Sequence, residues 1–132
     1  MHTIIPGMLK KDGQLIMPFG VMGGAYQPNG HARFVSNVTD FGMDPQAAID
    51  APGFYSLHWP DSFFPRQAFP GRITIECRVP TETTDALRAL GHDVQIDDDW
   101  GPGYLSASYV RDDGTLGAAA SPRGQQGYAV GR

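Results

Sequence analysis

The chain has one cysteine, Cys77, which excludes an internal disulfide and any zinc site built from several cysteines. Its place in the alternating run Arg72-Ile73-Thr74-Ile75-Glu76-Cys77-Arg78-Val79 reads as a small buried hydrophobe on a strand. No apolar run approaches the roughly 20 residues that span a bilayer. The opening Met1-His2-Thr3-Ile4-Ile5-Pro6 lacks the basic flank of a signal peptide, so the chain reads as soluble with no membrane partner. Positive charge is scarce and unclustered, ten Lys and Arg against fourteen Asp and Glu, which argues against nucleic acid as a partner. His2, His31, His58 and His92 include no pair of neighbours on one helix face. Asp97-Asp98-Asp99 lacks the alternating ligands and distal glutamate of a calcium loop and reads as a solvated acidic turn. No metal and no cofactor are expected.

What is plentiful is glycine and proline, 17 and 11 of 132 residues, so helices should be short and turns numerous. With 41% hydrophobic residues the length suits one domain, residues 1–132, and leaves no room for a second core. Thr3 to Leu9 and Gln14 to Phe19 are apolar segments around Asp12-Gly13, a strong hairpin signal. Ser106 to Arg111 and Leu116 to Ala120 repeat the pattern around Asp112-Asp113-Gly114. Between the hairpins, Gln27-Pro28 can open a helix whose apolar stripe is Ala32, Phe34, Val35, Val38 and Phe41, with Arg33, Asn37 and Asp40 off that stripe and Gly42 as its stop. Asp44 and Pro45 begin a short second helix that Pro52 ends. Gly53 to Trp59 fits a strand, and Pro60 to Gly71 fits a loop pinned by aromatic contacts. Ile73 to Val79 reads as a strand, and Pro80 to Leu90 as a helix with Ala86, Leu87 and Leu90 on one face and Gly91 as its C′ residue. Asp93 to Asp97 begins another extended piece. The fold class is α+β.

Gly23-Gly24 falls between a strand and a helix, where free backbone amides and the positive end of a helix dipole converge on one point. That geometry suits a developing oxyanion, although a glycine pair serves equally well as a plain tight turn. It is no phosphate loop, since the Gly-Lys-Ser/Thr ending is absent. Thr3 is no N-terminal nucleophile here, because Met1 and His2 precede it and that chemistry needs the amine of the threonine itself. Ser106, Ser108 and Ser121 lack a strand-turn-helix nucleophile context. The residues alone lead to an α+β domain with a candidate oxyanion turn.

Four segments, in order, carry a resemblance. His2-Thr3-Ile4-Ile5-Pro6 with Asp12-Gly13 is followed by Gly20-Val21-Met22-Gly23-Gly24. Then comes the long run Asn37-Val38-Thr39-Asp40-Phe41-Gly42-Met43-Asp44-Pro45-Gln46-Ala47-Ala48-Ile49-Asp50-Ala51-Pro52, and last Leu116-Gly117-Ala118-Ala119-Ala120-Ser121-Pro122-Arg123. Together they resemble the carboxyl-terminal part of the small subunit of the γ-glutamyltransferase (γ-glutamyltranspeptidase) family. The resemblance implies a portion of an N-terminal-nucleophile hydrolase αββα sandwich, with antiparallel strands and short helices. It implies an amide hydrolase or acyltransferase, acting by γ-glutamyl transfer or hydrolysis as in glutathione metabolism, whose threonine nucleophile lies upstream. The isolated chain is then expected to be inactive.

By position in the motifs, Gly23 and Gly24 match the oxyanion-hole amides, and His2 and Thr3 match a serine pair that binds the substrate carboxylate. Val21-Met22 stands where the family has Ser-Pro, Gly53 where it has Arg, and Ser121 where it has Asp, which leaves an amide other than γ-glutamyl open as the small-molecule substrate. The implied partner is the N-terminal portion or large subunit. Association of copies through an exposed core face is the other way to cover a severed sandwich. The alternative function is a stand-alone, non-catalytic binding module that kept the fold.

Overall fold

A computed structural model describes residues 4–123 and 127–130. A four-stranded antiparallel sheet is built from β1 (Gly7–Lys11), β2 (Gln14–Met22), β6 (Tyr104–Val110) and β7 (Leu116–Ala120), in the order β1-β2-β6-β7. A three-stranded sheet holds β3 (Phe54–Ser56), β4 (Arg72–Glu76) and β5 (Asp93–Asp97) in that order. Helices α1 (Tyr26–Thr39) and α2 (Pro45–Asp50) link the two sheets, and α3 (Thr81–Ala89) connects β4 to β5. Because a helix crosses over between them, β4 and β5 run parallel, the one parallel pair among strands that are otherwise antiparallel.

Local chemistry accounts for most of these elements. Asp12 and Gly13 both have positive φ, 51° and 81°, as a two-residue hairpin turn requires. The Asp44 carboxylate accepts from the N–H groups of Gln46 and Ala47 and caps α2. At the end of α3, Gly91 (φ 93°) donates to the Arg88 carbonyl and His92 to the Leu87 carbonyl, the paired bonds of a glycine-terminated helix.

The core lies between the larger sheet and the first two helices. Met17, Val21, Leu105, Ala107 and Ala119 point from the sheet toward Phe34, Ala48 and Ile49. The Phe19 ring packs on Phe34 and edge-on to His31, with centroids 5.2 and 5.1 Å apart. The Gln46 side-chain amide exchanges two hydrogen bonds with the Ala120 backbone and so ties α2 to the edge strand β7. The other face of this sheet, with Met8, Pro18, Ser106, Ala118 and Ala120, carries no helix among the described residues. It opens into a hollow of about 510 Å³ that residues 128–130 also line.

Several expectations need correction. Helix α1 starts at Tyr26, and its buried face is Tyr26, Gln27, Gly30, Arg33 and Phe34; Ala32 is exposed and Phe41 lies beyond the helix, 75% exposed. Arg33 turns inward because its guanidinium caps α2, donating to the carbonyls of Ala48 and Ala51 at 3.1 and 2.8 Å. Cys77 follows the last residue of β4 and is exposed; its Sγ donates to Asp99 Oδ1 at 2.6 Å, and that hydrogen bond pushes the thiol pKa up. In α3 the buried residue is Thr84, whereas Ala86 and Leu90 face outward. The loop after β3 leaves Phe63 and Phe64 exposed; of its phenylalanines only Phe69 has a cation partner, lying 4.2 Å beneath the Arg72 guanidinium.

Arg123 and Glu76 join the sheets. Arg123, 1% exposed, donates through Nε and Nη2 to the two Glu76 oxygens at 2.6 and 2.9 Å. It also donates to the carbonyls of Ile49 and Ala51 at 2.8 and 2.9 Å. Glu76 further accepts from Arg78 Nη2 at 2.6 Å and from the N–H groups of Gly53 and Gly101 at 2.8 and 3.0 Å. Burial alone would raise the Glu76 pKa, but the Arg123, Gly53 and Arg78 donors together outweigh it and hold the carboxyl below its usual range. Arg123→Met removes two of the five hydrogen bonds to the buried Glu76 carboxylate together with the donors to Ile49 and Ala51, and should destabilise the chain by about 3–5 kcal/mol in urea unfolding. Glu76 is deprotonated at a lower pH folded than unfolded. Its contribution is therefore complete above the ordinary glutamate pKa and is lost as pH falls through the lower folded value. Thermal melts of wild type should lose stability across that acid window, and Glu76→Gln should be less stable near neutrality but flatter in the same range.

Candidate active site

The candidate site forms where β2 ends and α1 begins. Met22 still pairs with Tyr104 of β6, and α1 starts four residues later at Tyr26. Gly23 and Gly24 bridge the gap with φ values of 133° and 51°, a conformation that side-chain-bearing residues rarely adopt. Their carbonyls accept the first helical amides: Tyr26 N–H donates to Gly23 O at 2.9 Å and Gln27 N–H to Gly24 O at 3.2 Å. A trans peptide points its C=O and its following N–H in opposite directions, so the Gly24 N–H faces out of the helix start. Neither glycine N–H donates to another described residue. The helix has no side-chain cap at Ala25 and no acidic residue in its first turn, so nothing local neutralises the positive end of its dipole.

A cavity of about 240 Å³ is lined by Ile4, Ile5 and Pro6 together with Val21, Met22 and Gln27, residues that flank the turn, while Gly23 and Gly24 are not part of its wall. Among the described residues its lining holds no charged side chain. His2 and Thr3 lie outside the described residues; the segment that follows them, residues 4–6, runs along this cavity. Backbone amides with no partner among the described residues can stabilise negative charge that develops on an acyl oxygen. Among the described residues no cluster of His, Cys, Asp or Glu could hold a metal ion, and no helix is long and apolar enough to cross a membrane.

Sequence reasoning missed Gln27, which is 5% exposed and lines the cavity from the first turn of α1. The available signal was its place three residues past Gly24, on the turn whose amides the reading had already singled out. It also missed Glu76, whose carboxylate points toward the arginines and away from solvent although it lies in a strand-like run.

The family model described as Gamma-glutamyltranspeptidase matches residues 1–131. A curated relative, the "Glutathione hydrolase-like YwrD proenzyme" of Bacillus subtilis (strain 168), is 32% identical over 133 residues, covering 98% of this chain and 24% of the relative. Among solved structures, LmbA2991HD is 40% identical with a TM-score of 0.89, over 96% of this chain and 23% of that one. The cephalosporin acylase from Bacillus halodurans is 36% identical with a TM-score of 0.81, over 98% and 22%. The chain thus spans about a quarter of the length of these relatives. The architecture is an α+β portion of the N-terminal-nucleophile hydrolase fold. With a family match that runs across nearly every residue and relatives similar over almost its whole length, the chain belongs to the gamma-glutamyltranspeptidase family.

Proposed function

We propose that residues 1–132 form a single C-terminal domain of a γ-glutamyltranspeptidase-like amide hydrolase or acyltransferase, whose threonine nucleophile is carried by a preceding portion of a longer protein. In this reading Gly23 and Gly24 donate their N–H groups to the oxyanion of the tetrahedral intermediate, and His2 and Thr3 bind the carboxylate end of the substrate. The observation that supports it is a glycine pair at an uncapped helix start, with the Gly24 N–H turned out of the helix and neither amide donating to another described residue. The substrate is a small-molecule amide, γ-glutamyl or a related acyl amide. No metal, cofactor, membrane or nucleic acid takes part.

The bare face of the larger sheet supports the longer protein over a free-standing binding module. Its small and apolar residues, Met8, Pro18, Ala118 and Ala120 among them, suit contact with a second layer better than contact with water. The preceding portion of the protein supplies that layer, and a second copy of the chain is the substitute when the domain is made alone.

The test is hydrolysis of a γ-glutamyl p-nitroanilide and of a simple N-acyl p-nitroanilide. The 132-residue chain should release no nitroaniline, and the complete gene product that contains it should. In the complete protein Gly24→Ala, which strains a φ of 51° without meeting any neighbour, should lower kcat by about 10²-fold with KM little changed. Turnover by the 132 residues alone would overturn the proposal.

A further inference from the structure

We propose that Tyr26 is the positioning residue of the Gly23-Gly24 turn, a ring locked in a socket of three glycines that fixes the direction of the turn's amides. This rests on the reading of that turn as the oxyanion site. Two consecutive glycines have wide conformational freedom, so the direction of their N–H groups is defined only if both ends of the turn are held. The pairing of Met22 with Tyr104 holds one end. Tyr26 holds the other, since its N–H is the donor to Gly23 O at 2.9 Å and its side chain is 3% exposed.

The socket draws on three separate stretches of chain. A Cβ at Gly30, one turn further along α1, would lie 2.7 Å from Tyr26 Cε1. One at Gly53, just before β3, would lie 2.9 Å from the phenolic oxygen. One at Gly103, just before β6, would overlap Cε1 and Cζ of the ring. Tyr55 closes a further side with its ring centroid 5.9 Å away. Gly103 also adjoins Tyr104, the partner of Met22, so the ring and the strand pairing clamp the turn at the same corner. The phenolic oxygen is buried close enough to the Arg33 side chain to interact with it, but neither it nor Arg33 Nε makes a well-formed hydrogen bond among the described residues. Ring carbons meet Gly30 and Gly103, and the hydroxyl meets Gly53, so the ring fills most of the socket and the hydroxyl its far end.

The experiment measures kcat and KM on the p-nitroanilide that the complete gene product cleaves faster. The variants are Tyr26→Phe, Tyr26→Leu, Gly30→Ala and the double variant Tyr26→Leu/Gly30→Ala, with Gly24→Ala as the control for the turn. Tyr26→Leu should lower kcat by about 10–100-fold per folded enzyme while KM stays within about twofold, because the amides shift and the binding surface does not. Gly30→Ala pushes the ring from its seat and should do the same. The double variant should be no worse than Tyr26→Leu alone, since the methyl group then has no ring to displace. Tyr26→Phe keeps the ring carbons that meet Gly30 and Gly103 and should hold kcat within about threefold of wild type. If Tyr26→Leu leaves kcat unchanged while Gly24→Ala lowers it, the positioning role is overturned and the oxyanion reading stands. If Gly24→Ala has no effect, or the complete protein cleaves neither amide, the oxyanion reading fails and the positioning role falls with it.

Discussion

The buried pair of Glu76 and Arg123 is the constraint on which the arrangement of the two sheets depends. Helix α2 is only six residues long and ends in the interior, where its carbonyls would otherwise be left without donors. Arginines supply them: Arg33 to Ala48 and Ala51, Arg123 to Ile49 and Ala51, and Arg78 to Asp50. The negative end of the helix dipole and the Glu76 carboxylate together balance this concentration of positive charge. Trp100 lies over the cluster from outside, 3.8 Å from the Arg78 guanidinium and 5.2 Å from that of Arg123. An ion pair so deeply placed adds little net stability over a well-packed apolar core, but it tolerates few alternatives in geometry. It therefore sets where β4 stands relative to α2, and so where the smaller sheet meets the larger.

The candidate site inherits that precision. Gly53, which donates to Glu76, is also one wall of the Tyr26 socket, and Gly101, a second donor, lies two residues from another wall, Gly103. A displacement of Glu76 would thus reach Tyr26 and, through it, the glycine turn. The charge of the cluster stays inside the protein while its geometric effect is delivered to the glycine turn, whose two amides have no partner among the described residues. Backbone donors of this kind survive side-chain change. Side chains at Val21 and Met22 can therefore reshape the nearby cavity while the backbone amides of the turn stay as they are.

The hairpins, the caps of α2 and the stop of α3 were legible from the sequence because each depends on residues within five positions of one another. Asp12-Gly13 needs positive φ, Asp44 meets the first amides of α2, and Gly91 ends α3 whatever surrounds them. The glycine turn was legible for the same reason. The inward face of α1 was not, since hydropathy placed Arg33 with the solvent-facing residues. Its burial depends on carbonyls 15 and 18 residues away. Cys77 and Glu76 were read alike as parts of a strand. Only the end of β4 and the arrival of Arg123, 47 residues further on, separate an exposed thiol from a buried carboxylate.

By itself the sequence determined the strand and helix order, the turn chemistry, the α+β class and, through the order of four motifs, the family. These follow from short-range sterics and local hydrogen bonds, which nearby residues fix. Tertiary structure alone decided which polar groups were buried together, which face of the larger sheet was left uncovered, and that three glycines far apart in the chain would close around Tyr26. Such contacts arise only when distant segments compete for the same space, and no local pattern encodes the outcome of that competition.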